Sequence, residues 1–397
     1  MSKGLETRAY TDNQQAFFFG QIKKMAAWAT QTGKAFAFWR EPKSDNIQAV
    51  ADFSDKKDRL TDQVRNREKG FAISPFSQNS DGFFIKADLY LSQNGDGSHS
   101  EDLLDQIFEE HTKAPEEALH YHLSEGQETS TPTQESDYKK MVTDAVMAIE
   151  SGKFEKVVPS KMKHETLPDN FDLFHTFLKA CEKYPSAFVC VCSLPEVGTW
   201  FCATPEILVR QDEEGIFRTM ALAGTQVADP EVPLAEIAWR QKEIEEQALV
   251  SRYIINCFKK IRLREFEEHG PKTVRAGGLT HLRTEFRVDT HAVGQPEVAH
   301  QMLELLHPTS AVCGMPKKPA TEFIELHEKH DREFFSGYLG PSNISGVTAA
   351  YVNLRCMKVL ADKAMLFAGA GVTQDSDPEK EWKETEAKCM TLLNTLR

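Results

Sequence analysis

The chain has 397 residues, a formal net charge of -13 and a sequence pI of about 5.5, which argues against nucleic acid and anionic membrane surfaces as partners, because clustered Lys and Arg bind both. The length is ample for a hydrophobic core without disulfides or structural metals. No run of about 18 apolar residues and no apolar segment behind Met1 is present, which predicts a cytoplasmic protein whose eight cysteines are reduced, buried thiols.

Residues 1–123 mix strand-like and helical patterns and carry no functional motif. Two apolar runs, at 35–39 and 82–91, predict strands, and the second ends in a glycine-rich turn. Residues 124–135 shift to Ser, Thr, Glu, Gln and Pro, a composition typical of a linker or an exposed loop. The main part of the chain then covers 136–397.

Three helices are predicted in this main part. The first begins at the capping pair Ser136 and Asp137 and stops at Gly152, and the second spans 234–260. The third begins at Pro378, a residue type tolerated in the first helical turn, and runs almost to the C-terminus. Together with the strands between them, these helices predict an α/β protein.

Two strands matter for function. A short strand begins at Lys156, just after the first of these helices. Residues 351–359 alternate apolar and polar side chains, which is typical of a half-buried strand. The alternation places Arg355 on the face opposite the apolar side chains.

The last helix carries Glu381, Glu384 and Lys388 at a spacing that places them on one face. Two carboxylates one turn apart suit a hard cation such as Mg²⁺, and the lysine suits an anion beside it. From spacing alone, a solvated charged face is the alternative, since most charged helical residues are exposed.

An apolar strand precedes this helix and runs into a turn formed by Gly369 and Gly371. Glycine permits close approach of the backbone, so N–H groups there can form a nest for a carboxylate. The turn is not a dinucleotide fingerprint, because Gln374 holds the third glycine position and the chain ends too soon for the second half of that fold.

Further segments combine polar residues with rigid turns, and they lie at 203–206, 222–225, 307–316 and 331–337. Each taken singly predicts only a turn. Together with Lys156 and the C-terminal helix, they resemble the chorismate-utilising enzymes, the family of anthranilate, aminodeoxychorismate, salicylate and isochorismate synthases. The resemblance covers about 136–396 in the family's order, and the motifs look most like those of the isochorismate synthases.

The resemblance implies one large α/β (α+β) unit in which antiparallel sheets pack face to face with helices on the outside. Lys156 corresponds to the general base that activates water for attack at C2 of chorismate, and Glu206 to the acid that protonates the departing C4 hydroxyl. This chemistry needs an amine and a carboxyl whose pKa values are shifted in opposite directions. The metal ligands implied for Mg²⁺ are Glu246, Glu381 and Glu384.

The resemblance also implies a substrate-binding set, in which Arg355 and the Gly369 and Gly371 backbone take the enolpyruvyl carboxylate and Lys388 lies near a substrate carboxylate. An Arg fork matches a planar carboxylate. The full set is Gly224, Thr225, His281, Ala311, Val312, Phe335, Leu354, Arg355, Gly369, Gly371 and Lys388.

Three positions separate the activities within the family. Ala223 stands where some aminodeoxychorismate enzymes carry a covalent lysine. Lys156 supplies a water-activating base that aminating relatives normally lack. Ala311 stands where salicylate synthases carry Thr, which favours release of isochorismate over elimination of pyruvate.

The predicted activity is therefore Mg²⁺-dependent isomerisation of chorismate, feeding menaquinone or catechol siderophore biosynthesis. A salicylate synthase is the enzymatic alternative, and a protein of this fold that binds without turnover is the alternative from another class. Since water is the nucleophile, no glutamine amidotransferase subunit is expected, and the family favours a monomer.

Overall fold

The structure is a computed structural model that describes residues 2–54, 58–59, 68–95, 97, 118–124, 131–227, 231–276 and 278–397. Seven α-helices lie within these ranges. In chain order they are α1 (Ser2–Thr32), α2 (Glu135–Glu150), α3 (Leu173–Lys183), α4 (Gln241–Lys260), α5 (Val298–Leu306), α6 (Lys317–His327) and α7 (Pro378–Leu396).

The strands, numbered in chain order, form two large sheets and one small one, and every pairing is antiparallel. The first sheet runs in the order β6 (Leu89–Ser92), β2 (Ile47–Ala51), β1 (Phe36–Arg40), β9 (Phe188–Leu194), β10 (Gly198–Thr204), β18 (Cys356–Val359), β19 (Lys363–Gly369) and β8 (Ser160–Thr166). The second runs in the order β13 (Glu267–Ala276), β14 (Leu279–Asp289), β12 (Ile216–Gln226), β11 (Ile207–Gln211), β17 (Thr348–Val352), β16 (Tyr338–Ser342), β4 (Gly70–Ser74), β5 (Phe83–Lys86) and β3 (Asp58–Arg59). The small sheet pairs β7 (Lys156–Val157) with β15 (Gly314–Met315).

The two large sheets pack face to face around a shared apolar core. Aromatic side chains dominate it, and Phe188 of the first sheet stacks on Tyr351 of the second with ring centroids 4.0 Å apart. Complete burial of one such apolar side chain contributes roughly 1.5–3 kcal/mol. Helices α1, α3 and α7 cover the outer face of the first sheet, and α4 and α5 cover that of the second. The predicted fold class is therefore confirmed.

Two predicted strands are each two strands in the structure. The run at 82–91 divides into β5 in the second sheet and β6 in the first, and the run at 351–359 divides into β17 in the second sheet and β18 in the first. The second break lies between Val352, where β17 ends, and Cys356, where β18 begins, and within it Arg355 has a φ of 46°, a left-handed conformation outside the extended region of a β-strand. The prediction that Arg355 lies on one face of a continuous strand is therefore wrong, because the chain changes sheets there.

Two helix predictions also need correction. Helix α2 begins at Glu135, and Gln134 is its N-cap residue. Ser136 and Asp137 therefore lie inside the first turn and do not cap the helix. The predicted helix at 234–260 is a 3₁₀ turn at Leu234–Glu236 followed by α4, because Arg240 is extended and its backbone N–H donates to the Glu243 carboxylate (3.1 Å) at the start of α4. The start of α7 is confirmed, since the Asp377 side chain accepts a hydrogen bond from the Lys380 N–H.

The described residues of the N-terminal part contribute three strands to each large sheet, so these strands belong to the same sheets as those of the main part. Part of the predicted linker, at 125–130, lies outside the described residues, and 131–134 form neither helix nor strand. No helix in the described ranges has the length and apolar character needed to cross a membrane. All eight cysteines are free thiols, and only Cys181 is not fully buried.

Candidate functional site

A cavity opens where the chain passes between the two large sheets. Twelve of the sixteen residues predicted for the site line it, and they are Glu206, Thr225, Glu246, His281, Ala311, Val312, Phe335, Leu354, Arg355, Gly369, Gly371 and Lys388. The other four, Lys156, Gly224, Glu381 and Glu384, do not line this cavity. Lys156 and Glu384 form ion pairs with the lining residues Glu246 and Lys388, Glu381 pairs with Lys242 outside the cavity, and Gly224 packs against Glu243 on α4.

Two neighbouring sheet crossings bring Glu206 and Arg355 together. Glu206 lies between β10 of the first sheet and β11 of the second, and Arg355 lies between β17 and β18, where the chain returns. The crossings are hydrogen-bonded to each other, since Val352 N donates to Glu206 O (3.1 Å) and Ala203 N donates to Arg355 O (3.1 Å). The fold thus places an acid and a cation on one cavity wall.

The Glu206 carboxyl is suited to act as a proton donor near neutral pH. Burial raises its pKa to about 8, although the charges of Lys156, Lys388 and Arg355 oppose the shift. The side chain is buried, and a carboxyl without full solvation favours its neutral form. At pH 7 this group therefore carries a proton that it can donate.

Arg355 presents a buried guanidinium whose hydrogen-bonding capacity is only partly used. Its Nη2 donates to His281 Nε2 (3.3 Å), and its Nη1 is buried without a partner. Burial lowers the pKa of Arg355 to about 10, so the group stays charged at neutral pH. A buried cation with an unused donor facing a cavity is suited to an anionic ligand.

His281 is a neutral imidazole held from both sides. Because its Nε2 accepts from Arg355, its Nδ1 carries the proton and donates to Thr225 Oγ1 (3.1 Å). Burial, together with the charges of Arg355 and Lys388, holds the pKa of His281 well below its usual value. The histidine therefore orients Arg355 without adding a second positive charge.

Lys156 lies in the small sheet and is fully buried. Its Nζ is 3.1 Å from Glu246 Oε1, although the orientation is not that of a hydrogen bond, and Nζ has no hydrogen-bond partner. Gly371 makes this pair possible, because a Cβ at that position would lie 2.1 Å from Glu246 Oε1 and 3.1 Å from Lys156 Cε. Burial opposes ionisation of Glu246, but Lys156, Lys242 and Lys388 together lower its pKa.

Lys388 joins the C-terminal helix to the end of β19. Its Nζ donates to Gly369 O (2.8 Å) and lies 2.7 Å from Glu384 Oε1. Two N–H groups around the glycine turn are already used, since Ala370 N donates to Pro159 O and Val372 N donates to Val157 O. Fewer backbone N–H groups are therefore free to bind a carboxylate than the sequence predicts. Lys388 supplies the positive charge at this end of the cavity.

The glutamates implied as metal ligands are each paired with a different lysine. Glu381 Oε1 accepts from Lys242 Nζ (2.6 Å), while Glu381 Oε2 is buried without a hydrogen-bond partner. Burial raises the pKa of Glu381 to about 7, against the charge of Lys242. In the ranges that the structure describes, no three His, Cys, Asp or Glu side chains converge on a common metal position.

These residues fit Mg²⁺ in donor chemistry. The cation prefers carboxylate oxygens and needs only one or two of them when substrate and water complete its shell. A buried carboxylate oxygen without a partner, such as Glu381 Oε2, is suited to such an ion.

The sequence prediction missed part of the cavity wall. Residues that line it without having been predicted for the site are Val158, Ser160, Pro205, Leu222, Ala223, Arg332, Ser336, Phe367 and Ala368. Arg332 is the most consequential, because it donates to Val312 O (3.0 Å) and Val158 O (2.7 Å) and thus ties together two loops that carry site residues. Its position three residues before Phe335, inside a recognised segment, was the signal that could have found it.

Comparisons with known proteins agree on one family. A family model described as a chorismate binding enzyme matches residues 19–397. The isochorismate synthase EntC of Escherichia coli (strain K12) is 30% identical over 269 residues, which are 66% of this chain and 67% of that protein. The isochorismate synthase DhbC of Bacillus subtilis (strain 168) is 30% identical over 272 residues, again 66% of this chain and 67% of that protein.

A solved structure shows the same fold. MenF, the menaquinone-specific isochorismate synthase from Escherichia coli, superposes with a TM-score of 0.74 over 94% of this chain and 91% of that chain. The two sequences are 21% identical in this comparison, so the similarity concerns the arrangement of sheets and helices.

Proposed function

Because the chain belongs to the chorismate-binding enzymes, we propose that it is an isochorismate synthase that converts chorismate to isochorismate. The observation that carries the proposal is the pairing of Glu206, a buried carboxyl whose pKa is raised to about 8, with the fully buried amine of Lys156 near the same cavity. Paired groups of this kind are suited to acid and base steps in one site.

In the proposed reaction a water molecule attacks C2 of the chorismate ring. Its oxygen forms the new C2–O bond, the two conjugated ring double bonds both shift, and the C4–O bond breaks. Lys156 accepts a proton from the attacking water, and Glu206 donates its proton to the departing hydroxyl, which leaves as water. Positioned proton transfer of this kind typically accelerates a reaction by roughly 10²–10⁴-fold.

Chorismate carries two carboxylates, and the cavity offers a cation for each. Arg355, whose Nη1 has no protein partner, would take the enolpyruvyl carboxylate. Lys388, anchored to Gly369 O, would lie beside the ring carboxylate. The carboxylates of Glu246, Glu381 and Glu384 would hold Mg²⁺, which would bind and polarise the ring carboxylate when present.

Two finer assignments follow the same proposal. Its relatives include a menaquinone-specific and a vibriobactin-specific isochorismate synthase, so we propose that the product feeds menaquinone or catechol siderophore biosynthesis. Eight free thiols favour a reducing compartment, so we place the enzyme in the cytoplasm, acting as a monomer without an amidotransferase subunit.

Product analysis tests this function. Purified protein is incubated with chorismate, with and without Mg²⁺, and the products are separated by chromatography and identified by mass and absorbance. We expect a metal-dependent product that is isobaric with chorismate but elutes separately, without pyruvate. The variant Glu206→Gln serves as the matched control, because it keeps the size of the side chain but removes the proton donor.

Other outcomes have definite meanings. Salicylate with stoichiometric pyruvate would identify a salicylate synthase and show that Ala311 does not stop the reaction at isochorismate. No product from folded protein with Mg²⁺ present would overturn the enzymatic proposal in favour of a protein that binds without turnover.

A further inference from the structure

Each of the three glutamates implied as metal ligands lies against one lysine, and the pairs are Glu246 with Lys156 (3.1 Å), Glu381 with Lys242 (2.6 Å) and Glu384 with Lys388 (2.7 Å). Lys156 and Lys388 have proposed roles toward water and substrate. Lys242 has none, although its side chain is only 11% exposed and that of Glu381 only 3%. Burying an ion pair removes both charges from water, and their mutual attraction often does not repay that loss of solvation. A contribution to a binding site would account for keeping such a pair.

Lys242 connects two helices that both contribute residues to the site. It lies on α4, four residues before Glu246, so the two side chains share one face of that helix. Its ammonium reaches across to Glu381 on α7, and its charge acts on Glu246 and Glu384 as well as on Glu381. The lysine therefore interacts with all three carboxylates without lining the substrate cavity.

The contact is asymmetric in a way that suits a metal ligand. Lys242 Nζ holds Glu381 Oε1, whereas Glu381 Oε2 is buried without a hydrogen-bond partner. A glutamate side chain has three rotatable bonds, and a charge-assisted hydrogen bond to one oxygen restricts where the other oxygen points. Carboxylates that bind metals are commonly held in this way by an outer partner, and loss of that partner typically costs 10–100-fold in metal affinity.

We infer that Lys242 is a positioning residue for the metal site, which anchors one oxygen of Glu381 and leaves the other free for a divalent cation. The inference rests on the proposed function, because it takes the carboxylate group as the Mg²⁺ site. The opposite role is physically distinct: an ammonium that merely occupies the place of the metal would repel Mg²⁺, and its removal would tighten binding.

Calorimetry separates these roles. Metal-depleted protein in a Glu206→Gln background, where turnover heat is suppressed, is titrated with MgCl₂ with and without saturating chorismate. We expect Lys242→Met to bind Mg²⁺ about 10–100-fold more weakly, and Lys242→Arg to recover part of the affinity because it retains the charged donor. Lys358→Met is the matched control, since Lys358 forms a buried ion pair with Glu333 (2.7 Å) away from the cavity.

The rise in melting temperature on addition of Mg²⁺ provides a second readout that does not depend on activity. It should shrink in Lys242→Met and persist in Lys358→Met. Equal or tighter Mg²⁺ binding by Lys242→Met would overturn the inference while leaving the proposed metal site intact. Absence of Mg²⁺ binding by the protein with an intact Lys242 would instead overturn the proposed metal site and this inference with it.

Discussion

Arg332 and Arg355 are two buried arginines on the wall of one cavity, but their surroundings differ. Every nitrogen of the Arg332 guanidinium donates a hydrogen bond, to the Glu328 carboxylate and to the carbonyls of Val158 and Val312. Arg355 has no hydrogen-bonded carboxylate, and its Nη1 has no partner.

The two surroundings indicate two functions for buried charge. Glu328 also accepts from the N–H (2.7 Å) and Oγ (2.9 Å) of Ser160, so the Arg332 group is a complete network that holds loops in place. Among the other residues proposed for this site, Lys156 Nζ and Glu381 Oε2 also lack a hydrogen-bond partner. A buried polar group without a partner costs about 1–3 kcal/mol, a cost that makes sense where a ligand supplies the missing partner.

The largest expected effect concerns the residues whose buried atoms lack a hydrogen-bond partner. Lys156→Met removes the proposed base, and we expect kcat to fall by roughly 10²–10⁴-fold, since that is the usual contribution of a positioned base. Lys358→Met, which removes a buried lysine of the same size outside the cavity, should retain turnover within a few-fold. Steady-state kinetics with chorismate measures both, and a Lys156→Met variant within tenfold of the unmodified protein would show that another group is the base.

Disrupting the Arg332 network should instead have the larger effect on the free energy of unfolding. Arg332→Met leaves the Glu328 carboxylate buried and unpaired, and removing one partner of a buried ion pair typically costs about 3–5 kcal/mol. Arg355→Met removes a cation that has no ion-pair partner, so we expect the free energy of unfolding to stay within about 1 kcal/mol or to rise. Urea denaturation of the two variants measures the difference, and equal destabilisation would remove the distinction between the two arginines.

The residue identities at the site were predictable because they lie in short motifs, whereas the geometry that joins them was not. Period-two alternation continues through 351–359, yet the chain leaves the second sheet and enters the first at Arg355. Alternation reports which side chains share a face and carries no information on which sheet they belong to. The same reason explains why the run at 82–91 predicts one strand where the structure has two.

The roles of supporting residues also depend on distant contacts. Gln78, in the N-terminal part that has no motif, donates from Nε2 to His307 O (2.7 Å), and the Arg332 guanidinium lies 4.4 Å from the centre of the Phe76 ring. These contacts join residues more than two hundred positions apart, and no local pattern encodes them. The partner of a buried charge is therefore the part of a site that a sequence reveals least.

A substitution at Gly371 should perturb the Lys156–Glu246 pair less severely than loss of Lys156 does. Gly371→Ala places a Cβ against the flexible end of Glu246, which must move and take Lys156 with it. We expect kcat/KM to fall roughly 10- to 100-fold, because displacements of about 1 Å have effects of that size. The free energy of unfolding should change by less than about 1 kcal/mol, since the backbone there needs no positive φ.

Gly20→Ala is the control for Gly371→Ala, because a Cβ at Gly20 meets nothing within 4 Å. Unchanged kinetics in Gly371→Ala would show that the cavity tolerates displacement of Glu246. A decrease of several kcal/mol in the free energy of unfolding would show that this turn stabilises the fold, as the Arg332 network does.

The pH dependence of turnover is the mildest test. If Glu206 donates its proton from a pKa of about 8, kcat/KM should decline about tenfold per pH unit above that value, because the protonated form is then progressively lost. Glu206→Gln should retain little activity and lack this limb. A pH profile that stays flat to pH 9.5 would exclude Glu206 as the general acid.

The same carboxyl should affect stability with a definite sign. Its pKa is about 8 in the folded protein against an ordinary value of 4.5, so the folded state keeps a proton that the unfolded state has lost between these pH values. The free energy of unfolding should therefore decrease as the pH rises through this window, by at most about 1.4 kcal/mol per pH unit, and level off above it. Glu206→Gln should remove this slope, and identical slopes in both proteins would show that Glu206 ionises normally and bears no cost of burial.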